Sequence, residues 1–399
     1  MTAGALSGVE IWDGERLLGA GGVAWADGVL GEIAVDPGVP ACGLSVVPGL
    51  VDTHVHLDVA VGEQPADSGW ALATGEADKA LHVAGGALRF ARNGVTTLRD
   101  LYATEPQFAA ARALASGVVP GPRLLAYGPV SMTAGHGDLF TPRGAAARPP
   151  VADGVDACRR LVREWVRAGA DGIKIYTSGG ILSLGDEVGW RNHTFEETAA
   201  IVDEAHALGR RVAAHALSAE GVDVAIRAGA DSVEHATGLA AGQIDALAAA
   251  GVPVAPTLAV HERILAGDDP LLAAARRQTR AVVAQRDAVF AEAARRGVRF
   301  VLGTDANGRL VPYTGAHAEL RRMRDVLGWS AERTLVAGTS DAAASLGLGG
   351  SVGRIARGYS ADLLVVRGRP WEDLDVLDPS RIVAVVAQGR LLHGTLPTP

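Results

Sequence analysis

The sequence predicts an α/β fold: a (β/α)8 barrel with a small β-domain formed from the N- and C-terminal segments. Eight short β-like runs alternate with amphipathic helical stretches, the pattern of a parallel sheet wrapped by helices. From the first run to the last is about 260 residues, the span such a barrel needs. Polar residues able to bind a metal gather where the runs end, and barrel active sites lie at that C-terminal face.

Taken in order, the β-like runs are 50–54, 95–100, 123–127, 172–176, 211–215, 231–235, 252–257 and 298–305. The clearest helix between them is 195–208, with Thr194 as N-cap, Glu197 closing a capping box and Gly209 ending it. A second helix, 219–228, starts after Ser218 and stops at Gly229, and a long Ala- and Arg-rich helix is expected over 273–296. Residues 9–35 and 353–392 read differently, as short apolar runs broken by glycine turns. Neither end holds enough strand to bury a core by itself. We therefore expect one composite β-domain from 1–47 and 347–399, beside a barrel spanning 48–346.

Composition narrows the class. Hydrophobic residues make up 48% of the 399, which excludes a disordered or collagen-like chain. Net charge is −8 with no basic cluster, which argues against nucleic acid or an anionic membrane as partner. No apolar run reaches the 18 residues of a membrane span. Residues 1–14 lack the basic and apolar regions of a signal peptide. Cys42 and Cys158 are far apart, with no CxxC spacing, so a reducing, cytoplasmic setting is expected. From these features a soluble intracellular globular protein is expected, with room for a homo-oligomer.

Run one ends Asp52-Thr53-His54-Val55-His56. Residues two apart on a strand face the same side, so both imidazoles can address one ion. His215, His235 and Asp305 end runs five, six and eight, and Lys174 lies in run four. Singly, each has an ordinary explanation: a structural histidine pair, a hydrogen-bonded core histidine, a helix cap. Together, at the exits of different strands of one barrel, they point to a metal site. Lys174 is the unusual member. Buried among imidazoles, its amine would lose affinity for its proton. Charged, it could be a snorkelling lysine or a carboxylate's partner; a neutral amine could instead react with carbon dioxide to give a carbamate that bridges two cations.

These segments resemble the amidohydrolase superfamily: VPGLVDTHVH at 47–56, GIKIYTSGG at 172–180, VAAH at 212–215, DSVEH at 231–235, GTD at 303–305 and GRIARGYSADLL at 353–364. The similarity is nearest to the imidazolonepropionase-like branch, which includes Xaa-Pro dipeptidases and related carboxypeptidases with two metals. The resemblance implies that His54, His56, Lys174 and Asp305 hold the more buried of two divalent ions, zinc being the expected metal. Lys174, His215 and His235 would hold the other, with Lys174 N6-carboxylated. Imidazolonepropionases themselves use one metal and lack this lysine, so Lys174 argues against that activity. Many of the branch's peptidases continue His-Ala-Tyr after the strand-five histidine; here Ala216 is followed by Leu217.

The implied activity is hydrolysis of an amide, in a peptide or N-acyl amino acid, by a metal-activated hydroxide with Asp305 as general acid and base. The alternative is a cyclic amide hydrolase or deaminase. His136, in MTAGHGD at 132–138, matches a TxGHG pattern whose histidine contacts substrate in the branch; it is expected to hold the developing oxyanion. Tyr176 follows Lys174 by two and should share its side, as a substrate contact or as barrel packing. His261, after run seven, is a weaker substrate candidate, a solvated loop histidine being the expected reading. The loop 140–151 is expected to shape an open cleft.

Overall fold

Seven of the eight β-like runs form one parallel sheet, in the order Leu50–Val55, Val95–Asp100, Arg123–Val130, Gly172–Tyr176, Arg211–Ala216, Ser232–His235 and Val254–Ala255. In most of these strands every residue is buried, because the sheet has side chains on its inner face and helices on its outer face. Ile173 and Ile175 face the helices while Lys174 between them faces the barrel axis, as period-two alternation requires. The computed structural model describes residues 3–36, 38, 42–57, 60–61, 64–65, 70–145, 148–183, 185–269 and 272–397. Positions 146 and 147 of the cleft loop thus lie outside the described residues.

The eighth run is not a strand. Residues 298–306 close the barrel by single bridges, Phe300 to Val254 on one side and Ala306 to Val55 on the other. The cause is local. Thr304 gives its N–H (3.0 Å) and its hydroxyl (2.7 Å) to the carboxyl of buried Asp52, so they are spent on a side chain and not on a ladder. Gly303 is required at this closure: a Cβ there would lie 2.8 Å from the Ala255 Cβ and 3.0 Å from the His54 Cβ.

The helix Phe195–Ala207 has both hydrogen bonds of its capping box, and Ala219–Ala228 is capped by Ser218 and ended by left-handed Gly229. The expected long helix is two, Ala273–Val283 and Arg286–Arg295, with the break at Ala284 and Gln285. Beyond the break Asp287 pairs with Arg322 of the helix Ala316–Leu327, at 2.8 Å. No helix among the described residues is long and apolar enough to cross a membrane.

Both ends of the chain form a second seven-stranded sheet, where Leu44–Pro48 pairs parallel with Gly4–Trp12 and antiparallel with Leu363–Arg367. Its own core includes Leu6, Ile11, Trp25, Leu363 and Val365. The GRIARGYSADLL segment anchors this sheet beneath the barrel. Asp362 accepts a hydrogen bond from Arg123 of barrel strand three (3.0 Å) and from the Gln388 N–H (2.7 Å).

Candidate metal centre

His54 and His56 leave the first strand on the same side, and the irregular eighth run brings Asp305 to them. Asp305 Oδ1 is 3.4 Å from His54 Nε2 and 3.2 Å from His56 Nε2. One potential ligand atom from each of the three lies within 4.8 Å of the others. The fit to a cation is tested by His54. Its Nδ1–H donates to Glu234 Oε2 at 2.8 Å, while its buried Nε2 makes no hydrogen bond among the described residues and faces the Asp305 carboxylate at 3.4 Å. A buried ring nitrogen without a hydrogen bond, its lone pair facing a carboxylate, is costly by itself, and a divalent ion between the two would satisfy both.

His215 and His235 follow the same logic. The Nε2–H of His215 donates to the Gly179 carbonyl (3.2 Å), which leaves Nδ1; Nδ1 of His235 meets Thr257 Oγ1 (2.6 Å), which leaves Nε2. Each ring thus has one nitrogen fixed by protein and one left over, the arrangement of metal-ligating histidines and their outer partners. The rings form a chain, His54 to His235 at 4.9 Å between centroids and His235 to His215 at 4.8 Å. His235, Ala236, Thr257 and Asp305 all have left-handed φ, between 46° and 68°. Non-glycine residues in that region mark sites where geometry outranks local comfort. The turn at His235 lets two consecutive side chains, Glu234 and His235, both serve the barrel mouth.

Lys174 is buried, and its charge acts on His54, His56, His136, His215, His235 and Asp305 alike, which places it amid all of them. Burial brings its amine down to about 8, against the pull of Glu234 and Asp305. Burial first, then neighbouring cationic groups, lowers His54 to about 4 and holds His215 and His235 well below the usual imidazole range. Neutral imidazoles are the form that binds metal. Asp305 is the counterweight: burial raises its carboxyl, but His54, His56 and Lys174 together hold it well below the usual carboxylate range.

His136 joins this group from the loop after strand three. Its ring stacks on His215 at 4.3 Å and meets the edges of Phe140 (4.8 Å) and Tyr176 (5.5 Å). Tyr176 is buried, with Lys174 Nζ 5.6 Å from its ring. His261 is no solvated loop histidine: it is buried in the first turn of the helix Leu258–Ala266, its ring 6.3 Å from that of His235.

Sequence reading missed the residues that hold this set in place. Glu234 is fully buried and takes hydrogen bonds from Arg99 (2.7 Å) and Ser232 (2.5 Å) besides His54. Burial opposes its charge, yet Arg99 and His54 bring its carboxyl to about 2. The only signal was an acid beside His235 in DSVEH. Nothing in the sequence marks Arg99, Thr257 or Asp186, which holds His136.

The model of the amidohydrolase family matches residues 45–392. The chain belongs to that family. Among curated proteins this amidohydrolase is 30% identical to an ochratoxinase of Aspergillus niger over 372 residues, covering 88% of this chain and 76% of the relative. It is 27% identical to an imidazolonepropionase of Acidiphilium cryptum over 370 residues, 86% of this chain and 84% of that one. Among solved structures, an Xaa-Pro dipeptidase with methionine in its active site superposes with a TM-score of 0.85 at 27% identity, covering 97% of this chain and 98% of the other. The amidohydrolase is thus a hydrolase acting on C–N amide bonds, in a generally metal-dependent family.

Proposed function

We propose that this amidohydrolase uses two divalent ions to hydrolyse a linear amide, in a peptide or N-acyl amino acid, near its C-terminal end. What carries the reading is the gathering of six donor side chains at one barrel mouth, with the outer nitrogens of His54, His215 and His235 each tied to a protein acceptor or hydroxyl. His54, His56, Lys174 and Asp305 would hold one ion, and Lys174, His215 and His235 the other, with Lys174 as its N6-carbamate. The burial of Lys174, with no ion pair to a described residue, favours the neutral amine that such a modification needs. When bound, two divalent ions, zinc being the expected metal, lower the pKa of water toward about 7 and polarise the amide carbonyl.

Asp305 does the proton work. Its carboxylate faces the attacking water, accepts the water's proton as the C–O bond forms, and returns it to the leaving nitrogen as the C–N bond breaks. Tyr176 and His136 line the substrate side. The barrel, 48–346, carries this chemistry, and the composite sheet from 1–47 and 347–399 braces its base. The Xaa-Pro dipeptidase neighbour supports a peptide substrate. Leu217, where many of the branch's peptidases have tyrosine, and the imidazolonepropionase relative keep ring-opening of a cyclic amide as the second reading.

The test is remetallation with zinc and bicarbonate, followed by a panel of Xaa-Pro dipeptides, N-acyl amino acids, longer peptides and cyclic ureides. Two ions per chain and turnover of a linear amide are expected. One ion or none ends the two-metal claim, and turnover confined to cyclic ureides promotes the second reading. Asp305→Asn is expected to lose roughly 10²- to 10⁴-fold in turnover while keeping much of its metal. Near-normal turnover removes Asp305 from this role.

A further inference from the structure

His136 was expected to donate to an oxyanion; its surroundings argue for the opposite polarity. We propose that Asp186 is a positioning residue that locks His136 as the Nδ1–H tautomer, so that the neutral ring offers Nε2 to the substrate as an acceptor for an N–H donor. This deepens the hydrolase reading and rests on it. His136 Nδ1 lies 2.7 Å from Asp186 Oδ2 and 2.6 Å from Ser183 Oγ. The same Oδ2 accepts the Ser183 hydroxyl (2.7 Å) and the Gly180 N–H (2.8 Å), and Oδ1 accepts the Glu187 N–H (2.9 Å). A carboxylate that accepts from all these neighbours is an acceptor toward Nδ1 as well, so Nδ1 carries the proton. A neutral imidazole has one N–H, and the lone pair is then on Nε2.

The ring has little freedom to escape this assignment. Its backbone N–H is tied to Asn192 Oδ1 at 2.8 Å, and one face is stacked on His215. Gly180 sits so close that a Cβ there would fall 1.8 Å from His136 Cε1, so only glycine lets the backbone at 180 lie against the imidazole. An Nε2 lone pair repels an oxyanion. It receives an N–H, such as one on the substrate's amide or amino group. Asp186, fixed by its own donors, keeps the lone pair pointed that way.

Two measurements decide this. In the full chain with 15N-labelled histidine and no added metal, the His136 signal, identified by its loss in His136→Ala, is expected to show a protonated Nδ1 and an unprotonated Nε2. In Asp186→Asn, whose carboxamide can turn its NH2 toward the ring, the balance is expected to move to Nε2–H. With a linear amide substrate, Asp186→Asn is expected to lower kcat about 100-fold with bound metal unchanged and KM nearly so. In the His136→Ala background the same substitution is expected to cost less than about threefold, since it acts through a ring no longer present. A tautomer unaltered by Asp186→Asn, or losses that simply multiply in the double variant, overturns the proposal. A wild-type chain that turns over no amide fails the hydrolase reading instead, and the nitrogen shifts still decide the tautomer.

Discussion

On one side of the barrel mouth His54 is braced from inside the barrel, by Glu234, which is held in turn by Arg99 and Ser232. On the other side His136 and His215 are braced by loop atoms: Asp186, Ser183, Asn192 and the Gly179 carbonyl. The inner brace is made of strand residues and is part of the core. Arg99 also donates to the Thr53 carbonyl at 2.6 Å and lies 5.2 Å from the Tyr127 ring centroid, so one buried guanidinium ties together strands one, two, three and six. The outer brace can vary without disturbing the barrel. Most of the candidate ligands are fixed by the core, while the proposed substrate side, and His215 with it, leans on loops; such a division lets one barrel serve many reactions.

The largest effect that tests this contrast is expected at Glu234. Glu234→Ala leaves the Arg99 guanidinium buried without its carboxylate and frees His54 Nδ1. Breaking a buried ion pair by removing one partner costs about 3–5 kcal/mol. Losing an outer-shell partner of a metal-ligating histidine weakens metal binding roughly 10- to 100-fold. Denaturant unfolding and zinc titration should therefore both respond. Loss of metal affinity with stability intact would mean that the inner brace is not part of the core.

A second effect links the two sides, through the helix Leu258–Ala266 that carries His261 and follows Thr257. Glu319 accepts the N–H groups of Leu258 (2.7 Å) and Ala259 (2.8 Å) at its start. Burial pushes the Glu319 carboxyl up to about 8 despite those donors. The folded protein therefore holds a proton there that the unfolded chain, titrating near 4.5, has already released. Stability falls as pH rises through that window, by at most roughly 1.4 kcal/mol per pH unit. Glu319→Gln is expected to flatten this slope in unfolding curves taken between pH 5 and 8. An equal slope in the variant would place the titrating group elsewhere.

The barrel and its ligand candidates were legible because both follow from period and position. Strand-forming runs repeat, and HxH, His215, His235 and Asp305 stand where strands end. Even there, the last run misled: 298–305 has the composition of a strand, but Asp52 takes the donors of Thr304. The long helix was misread because its Ala- and Arg-rich sequence carries no breaker at Ala284 and Gln285. Glu234 was half visible, an acid next to a ligand candidate, though alternation alone would have turned it away from the mouth. Asp186 was invisible. It reaches His136 from 50 residues away through a loop whose path no local pattern encodes.

The smallest expected effect lies on the loop side, at Ser183. Its hydroxyl donates to Asp186 Oδ2 and lies against His136 Nδ1, so it steadies the pair without belonging to the barrel core. Ser183→Ala removes one of the donors to that oxygen and keeps the Gly180 N–H and His136 Nδ1–H. The stability loss should be about 1 kcal/mol, the net worth of one such hydrogen bond. Zinc titration should not change, since no proposed ligand touches Ser183. Turnover of a linear amide should fall only about two- to fivefold, as some 0.5–1 kcal/mol of orienting energy is lost at the transition state. This inverts the pattern at Glu234, where stability and metal fail together. If Ser183→Ala sheds its metal or unfolds as readily as Glu234→Ala, the two sides of the mouth are one cooperative structure, and the division into a core-braced side and a loop-braced side does not hold.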